Sequence, residues 1–361
     1  MNETIVVLDE KTKFKKPRIW ELDFLRGFSI ILMCVDHFFY DVYYMFGDWR
    51  NSPSPFFSGL YEAAAFFFGY HPKSVMIPEY AVQYSEYIFL WFILAAVATS
   101  FVVRELVLNK GKISPESAKN YGGAFLSIGL CVAAMALIHR FVGYEVVEGN
   151  SLREFIHIVI LWIFFILCGE GCAFSRSNVK RTLLIALCAS AISIATILAE
   201  KVLDVTGIAV RYGVLHMLAT AVAIYTLIQL FWNLVLKDKE KRKYAISATC
   251  FALGVVIYFL NQYLWTIEVA PNDALAWFHY AFAEDFRSAD WFVLSEHLHR
   301  VLFGAAVAPF VYPDKSGSFI PKLQPLNKGV VCFLGRKTLW IVLAHQVVIY
   351  VVLTLLNGFA V

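Results

Sequence analysis

The apolar residues of this chain run in long blocks separated by short polar or charged stretches, with no sustained alternation. Blocks of about twenty residues suit helices that cross roughly 30 Å of hydrocarbon. Nine can be placed, at about 24–46, 82–107, 122–143, 154–174, 182–203, 212–236, 244–266, 292–312 and 338–357. The expected fold is therefore all-α, a polytopic transmembrane helix bundle formed by a single domain over 24–361 behind a basic leader, 1–23. No small-residue cleavage site follows the first block, so that helix is expected to be retained rather than removed as a signal peptide. A shorter aromatic run at 60–70 is too short to span and is expected to be re-entrant or interfacial.

Composition supports this pattern and excludes a water-soluble globule: 59% of residues are hydrophobic and only 16% charged. The loop charges then orient the bundle. The leader and the even-numbered loops carry the basic residues, among them Lys110, Arg176, Arg181, Lys241, Arg336 and Lys337. The odd-numbered loops are poorer in Lys and Arg and carry acids such as Glu145, Glu268 and Asp285. The positive-inside rule puts the N-terminus in the cytoplasm and the C-terminus outside, the parity that nine spans require. A multi-pass protein of the cell membrane, in contact with lipid, is expected. The 7 cysteines fall in apolar segments without a zinc-ligand pattern and read as small hydrophobes, so no metal site is expected. Neither a solenoid period nor a phosphate-binding Gly-rich loop is present, and nothing suggests a nucleic-acid partner. A homodimer is left open.

Candidate chemistry concentrates in 18–41, RIWELDFLRGFSIILMCVDHFFYD. Asp36, His37 and Asp41 occupy positions where an apolar helix would face lipid, and ionisable groups at that depth mark function or a partner. Arg26 and His37 are eleven residues apart. At about 100° per residue they return to one face, roughly 16 Å apart along the axis. His345 and Gln346 lie inside the last block at a depth similar to that of His37, and the two imidazoles are placed to face each other. In one unbroken helix Arg336 and His345 would point to opposite sides, so a break near Gly335 or two separate surfaces is required. His216 opens the sixth block one turn after Arg211, and 290–300 forms a polar cluster at an outer edge. His139, Arg140 and His157 read as interfacial, and Glu170 as the partner of Arg176 or Arg181. For His37 an interhelical hydrogen bond is the plain structural role. Imidazole beside two carboxylates suits general-base chemistry better, with Asp36 or Asp41 orienting it.

These stretches resemble the bacterial membrane proteins related to the catalytic domain of heparan-alpha-glucosaminide N-acetyltransferase, within the wider transmembrane acyltransferase group. The blocks that carry the resemblance occur in the family's order. They are Glu21-Leu-Asp23-Phe-Leu-Arg26-Gly27 leading to His37, and Leu161-Trp-Ile-Phe-Phe-Ile-Leu-Cys-Gly169 leading to Ser175-Arg176-Ser177-Asn178 and Arg181. Tyr212-Gly213-Val-Leu215-His216-Met217 follows, then Asp290-Trp-Phe with Leu302-Phe-Gly304, and last Leu334-Gly335-Arg336-Lys337 with Ala344-His345-Gln346. Residues 47–150 look like an insertion between the first two blocks. Some relatives have asparagine where His37 stands and a histidine eleven residues later, a position held here by Asp48.

The resemblance implies an O- or N-acyltransferase with no permanently bound cofactor. It would move an acetyl group from cytoplasmic acetyl-CoA to a carbohydrate or cell-envelope acceptor at the outer side. His37, Asp36, Asp41, His345 and His216 are the implied catalytic set, with His37 as base or as carrier of the acyl group. Arg26, Ser175, Arg176, Arg181 and Arg336 are implied at the acyl-CoA phosphates. A proton-coupled transporter or channel is the competing class, since intramembrane His and Asp residues are its signature too. No inverted repeat with paired broken helices speaks for it.

Overall fold

A computed structural model describes residues 19–69, 113, 115, 118, 121–122, 125, 151–204, 206–267, 276–279, 288–312 and 321–359. Its helices are α1 (Trp20–Met45), α2 (Pro55–Phe68), α3 (Ser151–Phe174), α4 (Asn178–Leu203), α5 (Val214–Val235), α6 (Lys239–Leu264), α7 (Leu294–Val311), α8 (Val330–Arg336) and α9 (Thr338–Asn357). A single turn at Ala276–His279 and 3-10 segments at Gly47–Asn51 and Pro321–Lys328 accompany them. Among the described residues the only β pairing is an isolated bridge between Tyr212 and Trp291.

The blocks expected near 24–46, 154–174, 182–203, 212–236, 244–266, 292–312 and 338–357 are all helical. Those expected at 82–107 and 122–143 lie outside the described residues, apart from single positions, as do residues 1–18 of the leader, His139, Arg140 and most of 267–291. The leader's last residues, from Trp20, already belong to α1. Five helices, α3 to α6 and α9, are long and apolar enough to cross a membrane. α1 and α7 are not among them. Asp23, Arg26, Asp36, His37 and Asp41 lower the hydropathy of α1, and Glu296, His297, His299 and Arg300 that of α7.

Local chemistry explains several helix ends. Ser177 accepts the Lys180 amide at 3.3 Å and starts α4. Asp204, at φ 52°, turns left-handed and ends it. Asp238 caps α6 by accepting the amides of Glu240 at 2.8 Å and Lys241 at 3.1 Å. These bonds, that of Lys241 above all, hold its carboxyl below the ordinary range. The start of α5 is capped from a distance: Asp290 Oδ2 accepts the Val214 amide at 2.9 Å. Burial pushes the Asp290 carboxyl above its ordinary range, while the bond from Val214 pulls the other way. Gly213 has no room for a side chain beside that carboxylate.

α7 sits at the centre, packed on α3, α6 and α5. Phe165, Met217, Val222, Cys250, Leu298 and Leu302 fill the core between them. α1 packs on α8, α9, α2 and α3. Residues 60–68 of the expected 60–70 run belong to α2, a 14-residue helix folded against α1. Trp49, Phe57 and Ala64 are buried with Val42 and Leu353 at that junction. Trp49 Nε1 donates to Asn357 Oδ1 at 2.6 Å, tying the far ends of α1 and α9 together.

Two crossings bring backbone against backbone. A Cβ on Gly27 would strike the carbonyl of Val331, and one on Gly335 that of Asp23, so α1 and α8 meet through facing glycines. Gly169 and Gly304 do the same for α3 and α7, against Val301 and Ile166. Small residues at such crossings are how helices gain contact where lipid supplies no hydrophobic drive. Gly27→Val should destabilise the detergent-solubilised protein by at least the ~1–3 kcal/mol typical of overpacking. Gly47→Ala, where nothing lies within 4 Å, should leave the unfolding midpoint in place. Equal midpoints for the two variants would contradict the α1–α8 contact.

Candidate active site

α1 runs unbroken from Trp20 to Met45, so Arg26 and His37 share one straight element. The expected break at the other end of the chain is real. α8 ends at Arg336, Lys337 takes φ −106° and ψ 10°, and α9 starts at Thr338. The break lets both polar groups reach α1. Arg336 Nη1 lies 3.8 Å from Asp23 Oδ2, and His345 meets His37.

His37 Nδ1 and His345 Nε2 are 2.7 Å apart, with ring centroids at 4.9 Å and planes tilted by 27°. The backbone around His345 settles the tautomers of the neutral pair. Its Nδ1 lies 2.9 Å from the Val342 carbonyl and 3.2 Å from that of Ile341. Carbonyls only accept, so this nitrogen carries the proton and Nε2 carries the lone pair. His37 must then donate from Nδ1 to His345, which leaves its own Nε2 unprotonated. One imidazole is thus held by its neighbour with a basic nitrogen on its opposite edge.

Neither neighbouring carboxylate takes the place opposite His37 that the sequence suggested. Asp36 is engaged by Arg153 of α3, with Nε to Oδ1 at 3.0 Å and Nη2 to Oδ2 at 3.4 Å. The Arg153 guanidinium also lies over the Phe68 ring at 4.2 Å. Asp41 is buried and accepts both contacts of the Gln346 amide, at 2.8 and 3.0 Å. His216 lies elsewhere. Its Nδ1 accepts the Gly213 amide at 3.2 Å and its Nε2 meets Ser193 Oγ at 3.1 Å, so it braces the start of α5.

The cations expected at the acyl-CoA phosphates divide into two kinds. Arg26, Arg181 and Arg336 are half-buried and engaged. Arg26 pairs with Asp23 at 3.6 Å and donates to the Leu167 carbonyl at 3.3 Å. Arg181 donates to the Cys168 carbonyl at 3.3 Å, and Arg336 to that of Asn327 at 2.9 Å. Arg26 is also within electrostatic reach of Arg181 and of Glu170. Glu170, expected beside Arg176 or Arg181, therefore has Arg26 as its charged neighbour. Arg176 is exposed in the turn between α3 and α4, and Ser175 beside it is half-buried.

Sequence reasoning missed Arg153 and underrated His157. Arg153 fell just outside the expected edge of its block, at an outer helix end, where His157 too was read as interfacial. The available signal was the one-turn spacing of Arg153 and His157 on a single helix. His157 is within electrostatic reach of His37 and of the buried His297, whose Nδ1 meets Arg300 Nη1 at 3.0 Å. Gln346→Leu removes the amide that donates to the Asp41 carboxylate and should cost about 1–3 kcal/mol. The Asp41→Leu, Gln346→Leu double variant should recover most of that loss. Thermal unfolding in detergent measures both, and a double variant worse than the sum of its parts would contradict the pairing.

Among known families, the model for the catalytic domain of heparan-alpha-glucosaminide N-acetyltransferase matches residues 18–70 and 126–347. The unmatched 71–125 fall inside the stretch 47–150 that separates the first two sequence blocks. No curated protein and no solved structure matches the chain. The matched residues contain Arg26, His37, Asp41, Arg153, His157 and His345, so the paired imidazoles lie within the matched segments. With most of its length matched, the chain belongs to the family of the heparan-alpha-glucosaminide N-acetyltransferase catalytic domain.

Proposed function

We propose that the protein is a multi-pass enzyme of the cell membrane that takes an acetyl group from acetyl-CoA at the cytoplasmic edge. It delivers the group to a hydroxyl or amine of a sugar or envelope acceptor at the outer side. The observation that carries this reading is the hydrogen-bonded pair of His37 and His345, in which backbone carbonyls fix one ring and leave Nε2 of the other basic. That is the preorganised base that acyl transfer needs.

The step follows from the pair. His37 Nε2 removes a proton from the acceptor's attacking O–H or N–H as that atom bonds to the thioester carbon. The tetrahedral intermediate then collapses, the carbon–sulfur bond breaks, and the proton passes from His37 to the departing CoA sulfur. His345 steadies the transient imidazolium by accepting from Nδ1. The reaction is neutral overall and needs no redox partner. At the opposite end of α1, the exposed Arg176 offers a guanidinium suited to the donor's phosphates. Arg26, Arg181 and Arg336 add positive charge while also bound to protein carbonyls. The basic even-numbered loops assign that end to the cytoplasm. The donor phosphates and the base then lie about the helical rise from residue 26 to residue 37 apart, roughly 16 Å, a span that an extended pantetheine arm covers.

Membrane vesicles containing the protein test the chemistry and the sidedness together. With labelled acetyl-CoA outside and glucosamine as probe acceptor on both sides of the membrane, inside-out vesicles should form acetylated product and right-side-out vesicles should not. His37→Ala should lower turnover about 100-fold or more, the scale of a lost general base. Unchanged turnover in His37→Ala would remove that residue as the base. Product only in right-side-out vesicles would reverse the donor side. Acceptor uptake without CoA release would favour the transporter class.

A further inference from the structure

We infer that the Arg153–Asp36 ion pair is a positioning clamp that sets His37 on α1 against His157 on α3, and that His157 holds the acceptor group whose proton His37 removes. This rests on the reading of His37 as the base.

The inference starts from where the clamp is attached. Asp36 immediately precedes His37, and Arg153 stands one helical turn before His157. A pair fixed at two points, at 3.0 and 3.4 Å, sets the register of α1 against α3 as well as their separation. The clamp is shielded: both side chains are 22% exposed, and Phe68 of α2 covers the guanidinium at 4.2 Å. His157 and Arg153 are both within electrostatic reach of His37. His345 already occupies the Nδ1 edge of the His37 ring, from α9. The acceptor must therefore approach on the other edge, and α3 carries a second imidazole, His157, within electrostatic reach of that ring. His37 is thus held by α9 through His345, while the α1–α3 clamp holds the distance to His157. Acyl transfer is sensitive to such spacing, since a misplacement of about 1 Å can cost on the order of 100-fold in rate.

An ion pair that only stabilises the bundle would satisfy the same cost of burying charge, and kinetics separates the two roles. Arg153→Gln, Asp36→Asn, Arg153→Lys and the charge-swapped Asp36→Arg, Arg153→Asp double variant are compared with wild type, as full-length protein in lipid nanodiscs. Acetyl-CoA and glucosamine are the substrates, and rates are normalised to the folded fraction from size exclusion. The clamp predicts that Arg153→Gln and Asp36→Asn lower kcat about 10- to 100-fold with the KM for acetyl-CoA unchanged. Arg153→Lys, which keeps the charge and loses the fork, should fall between, and the swapped pair should recover most of the rate. His157→Gln should raise the KM for glucosamine. Full kcat in the folded fraction of the single variants would overturn the clamp, even if less protein folds. No change in either constant for His157→Gln would overturn its role at the acceptor. If His37→Ala is inactive while the clamp variants run at the wild-type kcat, this inference alone fails. If His37→Ala retains turnover, the reading of the base fails first.

Discussion

Asp36, His37 and Asp41 find their hydrogen-bond partners on helices other than α1, and the arrangement of the surrounding helices follows from that. A helix closes its own backbone hydrogen bonds and leaves most ionisable side chains on an apolar surface to find partners elsewhere. Three neighbours, α8, α3 and α9, meet these groups. Asp23 lies beside Arg336 of α8, Arg26 reaches the Leu167 carbonyl of α3, and Asp36 holds Arg153 of α3. His37 and Asp41 take His345 and Gln346 of α9. These bonds need close helices, and Gly27 against Gly335 supplies that closeness between α1 and α8.

The same requirement builds the candidate site. His345 fixes the ring of His37 because its own Nδ1 is committed to the backbone of α9. A base placed on continuous helix and oriented by a second residue is more rigid than one carried on a loop. The break at Lys337 is what makes it possible. Without it, Arg336 and His345 would face opposite ways, and one of them would lose its partner on α1.

Much of this was legible in the sequence because hydropathy and helical spacing are local properties. The apolar blocks located the helices, and the eleven-residue interval placed Arg26 and His37 on one face of α1. The equal depth of His37 and His345 anticipated their meeting, and their phase conflict with Arg336 anticipated the break. Partner choice was not legible, because it depends on which helices touch. Asp36 and Asp41 sit beside His37 in sequence, yet their bonds go to Arg153 and Gln346. His216 sits in a block typical of the family, yet its bonds brace the start of α5. Glu170 lies near Arg176 and Arg181 in sequence, yet α1 brings Arg26 to it.

The central claim is that His37 is a neutral imidazole protonated at Nδ1, with Nε2 free to act as a base. Solid-state nitrogen NMR of histidine-labelled protein in lipid reads that tautomer directly, with the His37 signals identified by their loss in His37→Gln. The account predicts a protonated Nδ1 and an unprotonated Nε2 for His37 near neutral pH, with a through-hydrogen-bond contact from Nδ1 to a second imidazole that disappears in His345→Leu. A His37 protonated at Nε2, or one with no imidazole partner, would contradict it.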